Sequence, residues 1–587
     1  MGIDRPSLAA HIIQACLKQV GVPTRVLYSN IMLASRIGRD NYDLISYAES
    51  PDLIGERFFA EIAYGILCPA SHDEKITYGN LTIDKESLAK LRDHGRPWVD
   101  EVTSITVTRN FSIVGCTTSF EQTAASIALL KSIKQESPKT ITVIGGANCE
   151  GAMAEGIASL AKEVDFVFSG QSEGVFEEFV KNVLSGHLPS VRIIRGNPPI
   201  DLDSIPTPDY SEFYDQYEHF LPRRGLKTND LWLTYETCRG CWWGEKHPCT
   251  FCGNNGRTIK FRQKSSSRVL EELNLLLKSH PSRKICMVDN IMPHSYFNTL
   301  LPILRKKLGR VHIFWEQKAN LTLKRVMMLK KAGIAVIQPG IESFSSRCLQ
   351  LMNKGVRGYQ NIALLRYARS VGLSVNWNLL WGIPGDRISD YQPWLQLIPM
   401  IFHLHPPTGL CHISIDRFSA YFENPKAYGL SNFRPTPAYR CILPSWVEPE
   451  QIAYHFLADY DSESHENQEF MSKIAKQIEQ WRLRWNSPTK APPSLSLSRI
   501  SSDRYLLVDT RGLPRTKEIR FLDKDQASIA VSGKLWRRSP EISWAVENKL
   551  GISLDDKFVP LATASPEVLS KFMIEAQCLH SFGCKEG

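Results

Sequence analysis

The chain has 587 residues, 43% apolar and 22% charged, with a formal net charge of +9. That length exceeds what one hydrophobic core organises, so several domains of ordinary globular composition are predicted. No dense Lys/Arg block and no run of about 18 uncharged apolar residues occurs, which excludes the usual signatures of a nucleic-acid binder and of a membrane span.

The opening stretch "MGIDRPSLAAHIIQACLKQV" lacks the basic start, long apolar run and small-residue cleavage site of a secretory signal. The fourteen cysteines are mostly scattered singly, the habit of a protein kept in a reducing compartment, so a cytoplasmic protein is predicted.

From 1 to 195 helical and strand patterns alternate. "PSLAAHIIQACLKQV" has apolar residues at helical spacing, and "TRVLY" reads as a short buried strand. The strand "SIVGCTTSF", the helix "EQTAASIALLKSIKQ", the strand "TITVIGGANCEG", a further helix, "VDFVFSGQSEG" and the helical "VFEEFVKNVLSG" then follow. Strand, small-residue turn, helix, repeated, predicts a doubly wound parallel sheet that binds its ligand at the carboxyl ends of its strands. Those ends are 115–120, 145–150 and 170–174, and none carries the G-x-G-x-x-G of a dinucleotide site.

A proline-containing linker is predicted over 196–227. From 228 to 430 six strand signals, each with polar residues at its end and helix-like sequence after it, fit a partial or full parallel (β/α) barrel. Residues 431–490 read as helical. The region 491–587 reads as a small α+β, winged-helix-like module.

Between 238 and 252 the run "CRGCWWGEKHPCTFC" holds four cysteines, Cys238, Cys241, Cys249 and Cys252. Three readings stand: a crowd of structural thiols, a zinc knuckle built from two C-x2-C pairs, or an iron–sulfur cluster held by thiolates.

The run "GCWWGEKHPCTFCG", followed by the six barrel-like units, resembles the radical S-adenosylmethionine (SAM) superfamily. More narrowly it is similar to the cobalamin-binding family called ribosomal peptide maturation radical SAM protein 1. "GGANCEG", "VDNIM", "KANLTL", "IQPGIES", "WNLLWGIPGD" and "RFSAYF" stand where that family's pattern has such segments. The superfamily's usual C-x3-C-x2-C is here stretched to C-x7-C-x2-C, with Phe251 before the last cysteine.

The resemblance implies an α/β protein with a Rossmann-like cobalamin-binding domain, then a radical SAM barrel, then the winged-helix-like module. It implies that Cys241, Cys249 and Cys252 hold a 4Fe–4S cluster whose open iron takes SAM, with Cys238 a bystander. By resemblance, Asp289, Asn290, Lys318, Gln338, Glu342, Ser343 and Asn378 contact SAM. Asn320, Asn376 and Gly382 are further candidates, and Arg417 either pairs with a carboxylate or ties down a loop.

Cobalamin is expected against Thr117, Thr118, Ser119, Gln122, Gly145, Gly146, Ala147, Asn148 and Glu173. The D-x-H-x-x-G signature is missing, so no protein histidine is expected on cobalt. The implied activity is C-methylation of an unactivated carbon in a precursor peptide, with flavodoxin or ferredoxin as electron donor. One SAM supplies a 5′-deoxyadenosyl radical, and a second restores the methyl donor on cobalamin. Ring closure or rearrangement with the same cofactors, and a zinc-stabilised binding protein, are the alternatives. No residue that orients the substrate carbon is identifiable, and neither nucleic acid nor membrane is an expected partner.

Overall fold

A computed structural model describes residues 2–47, 52–68, 76–78, 81–199, 201–222, 226–532 and 540–572. The first sheet has four parallel strands in chain order, β1 (Ile113–Thr117), β2 (Ile141–Gly145), β3 (Phe166–Ser169) and β4 (Ile193–Arg195). Strand alternation sends Val143, Phe166 and Phe168 to one face, where they pack on Leu17, Phe179 and Val180 of the helices Leu8–Gln19 and Glu173–Leu184. Ile144 and Val167 face the other way, with the helices Thr123–Glu136 and Met153–Leu160. Helices thus cover both faces as predicted, but the strand order does not reverse, so the sheet itself has no switch point.

Two expectations for this part are corrected. "TRVLY" forms no strand. Its backbone is held by side chains of the helix Ser211–Phe220: Val26 N donates to Glu212 (2.8 Å), Tyr28 N donates to Gln216 (2.8 Å), and Val26 O accepts from Gln216 (2.8 Å). The predicted linker therefore contains a packed helix, with Phe213, Tyr214 and Tyr217 buried on one side of it.

The second sheet is five parallel strands in chain order: β5 (Trp232–Tyr235), β6 (Lys284–Met287), β7 (His312–Glu316), β8 (Ile334–Gln338) and β9 (Ser374–Val375). A parallel pair, β10 (Leu379–Trp381) and β11 (Leu410–His412), continues it through a bridge from Glu342 to Leu379. The predicted sixth run is split at 376–378, so these seven strands form an open, partial barrel. Along the other edge, Trp232 N donates to Asp4 O (2.9 Å) and Thr234 Oγ1 to Pro6 O (3.1 Å).

The 431–490 region is helical only from Gln468–Trp485. His455–Asp459 is the middle strand of an antiparallel sheet with Ile415–Asp416 and Ser431–Pro435, because Phe456 and Phe433 stack across it at 4.9 Å. The last region, part of which lies outside the described residues, has two helices (Lys524–Ser532, Pro540–Glu547) followed by a hairpin (Gly551–Leu554, Lys557–Pro560). A four-stranded sheet beside them is an addition to the winged-helix-like expectation. This region is pinned to the barrel. Arg511, fully buried on Asp509 at 2.8 Å, donates to Met400 O, and His403 Nε2 donates to Leu561 O.

Candidate cluster and cofactor site

The cysteine loop leaves the carboxyl end of β5 and is anchored at once by Asp289, which follows β6. Asp289 accepts from Thr237 N (2.7 Å), Thr237 Oγ1 (2.6 Å), Cys238 N (3.1 Å) and Trp315 Nε1 (2.9 Å). Burial pushes its carboxyl up to about 6 against the pull of these bonds. Its oxygens are thus engaged inside the protein, and the structure gives it the task of shaping the loop, in place of the SAM contact drawn from resemblance.

Cys238 is buried, with its thiol donating to Ile291 O at 3.3 Å, and burial beside Asp289 holds that thiol well above its ordinary pKa. Cys241, Cys249 and Cys252 are half-buried on the loop beyond it. Burial raises Cys241 and pushes Cys252 up to about 11, and the three sulfurs and the ammonium of Lys354 act on one another electrostatically.

The loop is clipped by a segment the sequence reading passed over, Met352–Gly355. Thr250 N donates to Met352 O (3.2 Å), Trp243 Nε1 to Asn353 O (3.2 Å), and Asn353 Nδ2 to Pro248 O (2.9 Å). Gly355, at φ 62°, lies under the Trp243 ring so closely that a Cβ would overlap it. On the opposite side Gly253 abuts Arg417 O, and Tyr421 N donates to Thr250 O (2.9 Å). Arg417 is itself spent on Ala453 O and Glu450 O, so it ties down a loop.

These donors were tested against the two metal readings. Tetrahedral zinc needs four ligands on one ion, with zinc–sulfur bonds of about 2.3 Å. Cys238 faces a carbonyl, and among the described residues no three His, Cys, Asp or Glu side chains converge as ligands of one ion. A polynuclear cluster takes each thiolate on its own iron, which suits three thiols spread along one clipped loop.

Inside the barrel, Glu342 at φ 60° accepts from Lys354 Nζ at 3.2 Å, above Gly340 at φ 57°. Burial works to lower the Lys354 ammonium, but Glu342 and the Cys249 thiol outweigh it and hold it charged. Lys318 donates to Lys354 O, lies 3.4 Å from the Trp243 ring centre, and is lowered to about 8, chiefly by burial. Gln338, Asn376 and Asn378 are exposed near the strand ends, as is Asn320 in the loop after β7, while exposed Asn290 donates to Asn255 Oδ1 (2.8 Å). Ser343 is fully buried and accepts from Ser345 N (3.0 Å), so its hydroxyl serves the turn. Glu316, missed in the sequence, ends β7 beside Asp289, Glu342 and Lys354, and burial pushes it up to about 7.

At the ends of the first sheet, Thr117, Gly146 and Ala147 are exposed. Gly146, at φ 122°, lies so close to Thr118 O that a Cβ would strike it. Thr118 and Asn148 are consumed in loop bonding: Thr118 Oγ1 meets Thr123 Oγ1 (2.9 Å), and Asn148 Nδ2 donates to Phe120 O (2.7 Å). Gln122 accepts from Ser119 N (3.3 Å), and Gly145 O accepts from Thr118 N (2.7 Å). Glu173, read as a cobalamin contact, is instead ion-paired to Arg239 of the cysteine loop at 2.6 Å. A further buried carboxylate, Glu56, caps the helix Thr123–Glu136 through Thr123 N (2.7 Å) and Ala124 N (2.6 Å).

The ends of both sheets border one crevice. A cavity of about 190 Å³ is lined by Gln171 from the first sheet and by Glu236, Asn254, Asn255 and Asn290 from the barrel side. Gly256 packs on Glu150 and Gly151 on Arg257 in the same seam.

Residues 235–398 match the Radical SAM superfamily. This stretch is a radical SAM domain. Such a domain implies an enzyme that uses a 4Fe–4S cluster and SAM, and the matched stretch holds all three half-buried thiols. The chain is similar to an uncharacterized methyltransferase of Pyrococcus horikoshii, 26% identical over 247 residues, which are 39% of this chain and 51% of that one. It is also similar to the hopanoid C-3 methylase of Methylococcus capsulatus, 25% identical over 301 residues, 47% of this chain and 55% of that one. The chain thus spans about half the length of these curated relatives. Among solved structures its fold is similar to OxsB, a cobalamin-dependent SAM radical enzyme seen with aqua-cobalamin and SAM bound. The TM-score is 0.50 at 14% identity, covering 63% of this chain and 59% of OxsB. Among the described residues no helix is long and apolar enough to cross a membrane.

Proposed function

We propose that this chain is a cobalamin-dependent radical SAM methyltransferase acting on an unactivated carbon, with a ribosomally made peptide as substrate. The observation that carries the reading is the shared crevice: a clipped three-thiol loop opens toward the strand ends of a separate parallel sheet. The methyltransferase relatives and the fold shared with a cobalamin enzyme support it. The peptide rests on the family resemblance of the motifs, as does an electron donor of the flavodoxin or ferredoxin kind.

Cys241, Cys249 and Cys252 would hold the cluster, which when bound to SAM supplies a carbon-centred radical. The residues then divide the remaining work. Gln338, Glu342, Asn290 and Asn378 are the groups free to face SAM at the strand ends, and Glu342 is oriented by Lys354. Lys318, above Trp243, covers the loop from the barrel side. Thr117, Gly146 and Ala147 offer an exposed rim, small at Gly146 and Ala147, on which a corrin-sized ligand can rest without a histidine below it.

Anaerobic reconstitution tests the cofactors: about four irons and four sulfides per chain with bound cobalamin support the reading, and zinc without sulfide sinks it. Turnover of candidate peptides with methyl-deuterated SAM tests the reaction. Each intact trideuterated methyl gained should accompany one 5′-deoxyadenosine and one S-adenosylhomocysteine. Ring closure or rearrangement would give 5′-deoxyadenosine without the homocysteine product or the mass gain.

A further inference from the structure

Arg239 lies inside the cysteine loop, two residues before Cys241, and its guanidinium faces away from the barrel interior onto the N-terminal sheet unit. Nε and Nη2 grip both oxygens of Glu236, at 3.0 and 2.6 Å, just after β5. Nη1 reaches Glu173 at 2.6 Å and Gln171 at 3.0 Å, on the turn between β3 and the helix Glu173–Leu184. Arg262, paired with Arg239 across the base of the loop, also donates to Gln171 (3.0 Å) and to Pro199 O. Arg239, Glu173 and Glu236 are each at most 14% exposed in their side chains, so two carboxylates and two guanidinium groups form a compact, nearly dry, charge-balanced knot.

We infer that Arg239 is a positioning residue that clamps the cluster loop to the N-terminal sheet and so sets the span of the crevice between the two proposed cofactor sites. The inference rests on the proposed function only for what occupies that crevice. A planar guanidinium serves here because it meets one carboxylate with two parallel bonds and still has an N–H aimed elsewhere, which an ammonium cannot match in fixed geometry.

Hydrogen–deuterium exchange on the full chain, before any cofactor is added, reads the clamp directly. Arg239→Gln should speed exchange about tenfold both at 169–175 and at 238–245. Glu173→Gln, which keeps the side-chain volume, should do the same, and the double variant should go no further than either single change. Arg239→Lys should restore protection on at most one of the two sides. A speed-up confined to 238–245, additive effects in the double variant, or a speed-up spread over the whole chain would each overturn the clamp. In the reconstituted protein, pulsed electron paramagnetic resonance should show a broader cobalt-to-cluster distance distribution for both single variants, and an unchanged one also overturns it. If the wild-type chain takes up no cobalamin, the proposed function fails while the exchange result still decides Arg239.

Discussion

Cys238 and Cys241 are close in sequence, yet the first donates its thiol to a buried carbonyl and the second stands half-exposed at the crest of the loop. Alanine at Cys241, Cys249 or Cys252 should abolish the brown absorbance and acid-labile sulfide of the reconstituted protein. Cys238→Ala should keep both and lose about 1–2 kcal/mol of stability in urea melts, the cost of a small cavity and one weak hydrogen bond. His403 gives a pH prediction. Burial first, then the nearby Arg511 charge, lowers it to about 3. The unfolded chain takes up this proton near pH 6.5 and the folded chain does not, so the stabilisation present above 6.5 is lost as the pH falls toward 3. Between pH 7 and 4.5 the loss amounts to about 2.5 kcal/mol, and His403→Gln should remove it from a urea-melt series across that range.

At the scale of elements, the parallel strands were legible because each is a short apolar run with polar residues at its end. The direction of those polar residues was not. Asp289 and Glu173 have the residue type and position of ligand contacts, but their partners, Thr237 and Arg239, lie 52 and 66 residues away and no local pattern announces them. "TRVLY" has strand composition and lost its ladder to two side chains of a helix that the sequence reading had taken for linker. The clip at Met352–Gly355 carried no motif, and its only trace was a glycine placed four residues after Leu351 in a stretch with no turn signature. That glycine makes the clip testable. Gly355→Ala forces a Cβ toward the Trp243 ring at a positive φ, and should cost about 1–3 kcal/mol. Iron content after reconstitution should fall by at least about half while far-ultraviolet circular dichroism stays native, since the damage is confined to the loop.

For the whole molecule, the expected independence of the first 195 residues is not what the packing supports. Residues 24–28 lean on the helix Ser211–Phe220, and the helix Met153–Leu160 packs on Pro449–Ile452. A fragment ending at 222 should melt more cooperatively than one ending at 195, by differential scanning calorimetry. The C-terminal region is fastened just as firmly. Arg511→Met leaves Asp509 buried without its main partner, and should destabilise the protein by about 3–5 kcal/mol in urea. Asp509→Leu combined with it should recover part of that loss.

The bond from Thr234 to Pro6 spans 228 residues of chain. Translation at about 5–20 residues per second puts roughly 10–45 seconds between the two ends of that contact. For that interval the segment that will border β5 has no ladder to join, and β5 itself emerges with its outer edge bare until the two meet. An exposed parallel edge is a template for wrong pairing, and long-range closure is slow. The order of synthesis therefore makes the joining of Asp4 and Pro6 to β5 a late event in this protein's biogenesis, and a point at which a chaperone would gain most by holding the nascent chain.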